Sequence, residues 1–275
     1  MLQETARLYP AQEEALRPAM RNALQLAVER EAPLAAVALA DANPGLLDAA
    51  PDGGRLVTML ADRLVALDLP ARAAELLGRG MAGTSGGTRA ALGLRLAELR
   101  LEAGDPARAD AALADSAAAG LPAELMRERA ILSARILNRR GRADQAEQVL
   151  RGLGPEGALP LAEMLAERRD WKGASEVLEG MAAAGEGEMD DARRDLLLRA
   201  AAFAVLSGDP QRLSLLRTRW APRMGEGKRA QAFTALTVDP ARGMADLPRL
   251  QHELNLFRGF SSRLEALRAD AGATR

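Results

Sequence analysis

The stretch Glu102-Ala103-Gly104-Asp105-Pro106-Ala107-Arg108-Ala109 has the chemistry of a tight joint between two helices. Gly104 can end the first helix in the left-handed conformation, which costs a residue without a β-carbon little. Asp105 can cap the next helix, and Pro106 fits a first turn that has no use for its missing N–H. The pattern returns as Leu206-Ser207-Gly208-Asp209-Pro210-Gln211-Arg212-Leu213. Weaker relatives are Arg139-Arg140-Gly141-Arg142-Ala143-Asp144-Gln145-Ala146 and Arg168-Arg169-Asp170-Trp171-Lys172-Gly173-Ala174.

Around these joints a packing pattern recurs. Ala97 precedes Ala109 by twelve residues, and Leu113 follows four later. The same small–small–large trio appears as Ala61, Ala73, Leu77, as Ala134, Ala146, Leu150, and as Ala162, Ala174, Leu178. Two looser copies are Leu24, Ala36 with Ala40, and Ala201, Leu213 with Arg217. Paired small residues let two antiparallel helices cross closely, and the leucine fills space toward the next pair. The second members, Ala36, Ala73, Ala109, Ala146, Ala174 and Leu213, are separated by 37, 36, 37, 28 and 39 residues. That is close to the period of a two-helix repeat.

Composition agrees. The chain has 275 residues, 48% hydrophobic and 27% charged, but only 3% aromatic. An alanine-rich, aromatic-poor core suits close helix packing and disfavours β-sandwiches and barrels. The predicted helices span 11–31, 34–42, 55–67, 71–81, 88–103, 107–118, 123–140, 143–153, 158–168, 171–183, 190–206 and 211–220. A short helix follows residue 228 and a longer one covers 247–269. The segments 43–54, 83–87, 185–188 and 225–227 read as loops. The expected organisation is helical hairpins over 1–54, a repeat array over 55–224 and capping helices over 225–275.

With its trios and Gly104-Asp105 joints, the chain resembles divergent tetratricopeptide repeats over about residues 21–220, with clear matches in 55–178. The resemblance implies an all-α solenoid of stacked antiparallel helix pairs that binds a protein or peptide. The family's usual aromatics on the first helix are replaced here by Ala, Leu and Arg, and the 28-residue step is short. The Ala, Leu and Arg usage suggests a GC-rich bacterial genome.

The charge balance, 37 basic against 38 acidic residues, gives no footprint for nucleic acid or an anionic membrane. Without cysteine there are no disulfides, thiolate metal sites or thiol nucleophiles, and His252 is the sole histidine. No Gly-x-Ser-x-Gly elbow is present. We therefore expect no enzyme, cofactor or metal. Asp190 and Asp191 read as residues near a helix start, where negative charge favours the dipole. Gly83-Thr84-Ser85-Gly86-Gly87-Thr88 lacks the lysine of a phosphate loop and reads as an inter-repeat loop with Thr88 as cap. The basic run Arg212, Arg217, Arg219, Arg223, Lys228 and Arg229 around Trp220 reads as a solvated face. Leu250, Leu254, Phe257, Phe260, Leu264 and Leu267 form an apolar stripe, read as a cap over the open end of the array.

The candidate partner site is the face of the first helix of each pair. It comprises Arg55, Asp62, Glu98, Glu102, Glu128, Arg135, Asn138, Arg139, Glu163, Glu167, Asp195 and Arg199. A groove of such mixed charge can receive an extended or helical peptide. No apolar run spans a bilayer and residues 1–8 lack a signal-peptide core, so the sequence as given reads as cytoplasmic. As a piece of a longer exported chain it would be periplasmic, an accessory region of a bacterial envelope or secretion assembly. A third reading is the regulatory solenoid of a larger enzyme or regulator.

Overall fold

The computed structural model describes residues 13–29, 33–43, 46, 47, 53–184 and 187–238. Among them there is helix and no strand. The helices are α1 (Glu13–Glu29), α2 (Pro33–Ala42), α3 (Gly53–Ala66), α4 (Pro70–Ala82), α5 (Gly86–Glu102), α6 (Pro106–Asp115), α7 (Ala123–Arg139) and α8 (Ala143–Gly152). They continue as α9 (Pro155–Glu167), α10 (Trp171–Ala184), α11 (Asp191–Ser207), α12 (Pro210–Trp220), a 3-10 turn (Ala221–Arg223) and α13 (Lys228–Thr237). The chain divides into two compact units, residues 1–157 and 158–275. The boundary falls inside the short step between Ala146 and Ala174.

The first unit is a stack of antiparallel helix pairs. Helices α3 and α4, α5 and α6, and α7 and α8 form hairpins, and α1 pairs with α2. The first helices lie side by side, α1 on α3, α3 on α5 and α5 on α7. Each second helix, α2, α4 and α6, packs on the first helix of the following pair. In the second unit, α11 packs chiefly on α10 and α13, and less on α12. The sequence pairs α11 with α12 on the strength of the Gly208-Asp209 joint. The two helices do touch, but α11 packs most on α10: Ala200, Ala201 and Ala204 are fully buried, Ala200 in a cluster with Leu178 of α10, and Ala201 and Ala204 in one with Ala182 of α10, Leu216 and Trp220 of α12 and Phe233 of α13.

The repeat is written into the backbone. Asp68, Gly104, Gly141, Arg169 and Gly208 each adopt positive φ, between 59° and 79°, at steps of 36, 37, 28 and 39 residues. In the first four turns the next N–H reaches back to a carbonyl five residues earlier. Leu69 bonds Leu64, Asp105 bonds Arg100, Arg142 bonds Leu137 and Asp170 bonds Leu165, each at 2.9 Å. This is the left-handed helix stop expected from the sequence, with Asp68 and Arg169 in the position that elsewhere takes glycine. Asp105, Asp170 and Asp209 then accept the N–H of Arg108, Gly173 and Arg212. Asp190 caps α11 in the same way through Arg193.

All twelve residues of the four clear trios are buried, the alanines completely. Of the looser copies, Leu24, Ala36 and Ala40 are buried, whereas Leu213 and Arg217 are only half-buried. Alanine at both sides of a crossing lets the backbones approach, and the leucines recover the apolar area that alanine lacks, at roughly 25 cal/mol per Å².

Arginines tie the helices to one another, between layers and, at Arg89, within a hairpin. Arg63 donates to the Val28 carbonyl near the end of α1 at 2.9 Å, and Arg89 donates to the Asp115 carbonyl at the end of α6 at 2.8 Å. Arg129 of α7 donates to Ala90 and Leu113 carbonyls at 2.7 and 2.6 Å and to the Ser116 hydroxyl at 3.1 Å. Arg193 donates to the Ala182 carbonyl at the end of α10. Apart from Ala90, which lies near the start of α5, these carbonyls close a helix C-terminus, where they lack intrahelical donors and carry partial negative charge, so a guanidinium satisfies both needs.

One cap differs from the sequence reading. Helix α5 begins at Gly86 with Ser85 as its extended cap residue, so Thr88 lies inside the first turn. The predicted helix at 247–269, its apolar stripe and His252 lie outside the described residues.

Candidate functional site

In the first unit the candidate residues come from α3, α5 and α7, the helices that lie side by side. Asp62 of α3 and Glu98 of α5 meet on a single guanidinium. Arg95 bridges to Asp62 at 2.7 Å and to Glu98 at 2.9 Å. Partial burial pulls against the charged form of Arg95, but its hydrogen bonds to the two carboxylates outweigh this and hold its pKa above the ordinary arginine value. The sequence did not single out Arg95, which is half-buried between the two acids.

Arg55, Glu102, Glu128, Arg135 and Arg139 are exposed, and Asn138 is half-buried. None of the six makes a side-chain hydrogen bond or ion pair among the described residues. The open charges are therefore Arg55 on α3, Glu102 on α5, and Glu128, Arg135 and Arg139 on α7. On the packed side of α7, by contrast, burial depresses the pKa of Arg129, whose partners are neutral oxygens.

In the second unit Glu163 of α9 and Arg199 of α11 approach to 3.9 Å, joining two predicted residues across neighbouring elements. Asp195 of α11 accepts from Arg229 of α13 at 2.7 Å, and this hydrogen bond holds its carboxyl below the usual aspartate range. Glu167 is exposed, with no ion pair among the described residues. Farther along α11, Phe203 stacks on Trp171 of α10 with ring centroids 5.7 Å apart, and Leu206, one turn on, is 58% exposed.

The basic run is not uniformly solvated. Arg212 bridges to Glu179 at 2.6 Å, and Glu179 is only 7% exposed. The same carboxylate accepts from the Trp220 indole at 2.8 Å and from Arg219 at 3.2 Å. Sequence reasoning missed Glu179. Its one signal is its place beside Ser175, Leu178 and Ala182 on the buried side of α10.

Among the described residues, no group of three or more His, Asp or Glu side chains is placed to hold a metal, and no helix is long and apolar enough to cross a membrane. An open cavity of about 440 Å³ lies in the first unit, its floor formed by Val37, Leu60, Leu64 and Leu76 and its rim by the Asp41–Arg72 ion pair.

No protein-family model matches the chain, and no curated protein matches it. A solved structure from the "Functional Characterization of Pseudomonas Aeruginosa pilF" is similar, with TM-score 0.46 and 17% identity over 82% of this chain and 99% of that one. A likeness this distant bears no weight here. The helical-repeat assignment rests on the helices and their packing.

Proposed function

We propose that the chain is a divergent tetratricopeptide-like scaffold, without catalytic activity of its own, that binds a protein or peptide on the exposed side of its first helices. One observation supports this above the others. The arginines that stack the layers are engaged with neighbouring carbonyls, whereas Glu102, Glu128, Arg135 and Arg139 stand open on adjacent helices α5 and α7. Charged side chains of both signs on a rigid platform provide specificity and orientation for a partner. Fold alone does not confer the role.

The test is affinity capture from the native host with the chain and two charge-reversed forms, Glu98→Lys with Glu102→Lys and Glu163→Lys with Glu167→Lys. The reading expects a partner recovered with the parent chain and lost with at least one variant. A set of captured proteins identical across all three removes the first-helix face from consideration.

A further inference from the structure

From Pro210 to Thr237 the chain holds six basic residues and one acidic residue, Glu226, within a protein whose net charge is -1. Part of that excess is neutralised inside the unit. Glu179 takes Arg212 and Arg219, while Asp191 and Asp195 take Arg229. Arg223 and Lys228 are exposed and form no ion pair among the described residues.

The geometry around Trp220 orders this charge. The indole ring is buried, and the guanidinium carbons of Arg219 and Arg223 sit over it at 5.0 and 5.5 Å. Arginine stacked on an aromatic face is held electrostatically and keeps donors for a planar anion. Side chains already held in place lose less entropy when they bind. On the same face of α12, one turn before Arg219, Leu215 is 65% exposed. Leu215, Arg219 and Arg223 follow one another at four-residue steps, and the exposed face of α12 bears no carboxylate.

We infer that the exposed face of α12 and the turn after it is a docking surface for an acidic protein segment that carries an apolar residue. Its carboxylates meet Arg223 and Lys228, and its apolar side chain covers Leu215. A phosphate backbone would use the charges and not the leucine, and lasting attachment to an anionic lipid surface takes a broader apolar face than the one exposed leucine of α12.

The experiment uses the full chain and fluorescence anisotropy. The probe is a labelled peptide of Asp and Glu with leucine at every fourth position. Comparators are the same peptide with serine for leucine, its lysine counterpart, a single-stranded DNA oligonucleotide and phosphatidylserine vesicles. The inference expects saturable binding of the acidic leucine peptide, weakened about tenfold as salt rises toward physiological strength. Leu215→Ser should weaken binding severalfold, and Arg223→Glu with Lys228→Glu about tenfold or more. Arg168→Glu with Arg169→Glu should leave it unchanged. Circular dichroism confirms that each variant is folded. The inference is overturned by absence of binding, by equal affinity for the serine peptide, by tighter binding of DNA or vesicles, or by folded Arg223/Lys228 variants that bind as the parent does.

Discussion

Gly93 and Ser116 occupy the same space between α5 and α6: a β-carbon at position 93 would overlap both the Ser116 hydroxyl and its β-carbon. Ser116 is completely buried, donates to the Ala112 carbonyl at 2.7 Å, and accepts from Arg129 of α7. The glycine is therefore a requirement of the crossing, although it sits inside a helix where alanine would otherwise be preferred by about 1 kcal/mol.

Gly93→Ala should destabilise the first unit by about 1–3 kcal/mol through overpacking, in spite of its better helix propensity. Urea denaturation followed by circular dichroism measures the change. A stabilised variant would mean that the two helices cross farther apart than described.

Glu179 anchors Arg212, Arg219 and Trp220 from within the protein. Glu179→Leu should cost about 3–5 kcal/mol, because Arg212 is left buried without its counter-charge. Glu179→Gln, which retains an acceptor for the indole, should cost less. Tryptophan fluorescence during chemical denaturation reads both variants, and an unperturbed Glu179→Leu protein would contradict the buried ion pair.

The cap position before each second helix offers an internal comparison. Asp105 and Asp209 bond the backbone, whereas Arg142, in the matching place before α8, provides no side-chain cap. Asp105→Ala should lose about 0.5–2 kcal/mol, and Arg142→Asp should gain on the order of 1 kcal/mol. Thermal melting of the two variants should shift in opposite directions.

Gly104 and Arg169 stand at matching left-handed positions, with φ of 79° and 62°. Gly104→Ala should destabilise by about 1–2 kcal/mol, since a β-carbon clashes with the following carbonyl there. Arg169→Gly relieves that same strain, so it should be far better tolerated and its melting temperature should not fall comparably.

Asp195 is held below the ordinary aspartate pKa by its hydrogen bond from Arg229. A carboxyl depressed in the folded state favours folding above its unfolded pKa, and that contribution disappears as pH falls through the lower folded value. In a carbon-detected NMR titration, the Asp195 midpoint should lie below 3.8 and rise toward it in Arg229→Gln. An unchanged midpoint would sever the link.

The repeat was legible because its spacing depends on local chemistry. Gly104, Asp105 and the Ala97–Ala109 crossing lie within thirteen positions of one another, and each residue type has few other uses there. Glu179 was not legible. A glutamate in an alanine-rich helix reads as exposed, and its burial depends on Arg212 and Trp220, which are 33 and 41 positions away. The dominant packing of α11 on α10 escaped for a similar reason, since the joint at Gly208 marks the connection to α12 but not the tightest contact. Of the candidate site, helical register put Glu163 and Arg199 on the same list of residues but not into an ion pair, and Arg95 between Asp62 and Glu98 did not stand out among so many arginines.

Arg129 grips oxygens that belong to both α5 and α6, so the guanidinium acts as a rivet through three staves of a barrel. Peeling α7 away from its neighbours breaks the bonds to Ala90, Leu113 and Ser116, which all run through this one side chain. Pulled from its ends, this part of the chain should yield in hairpin-sized jumps rather than by smooth fraying.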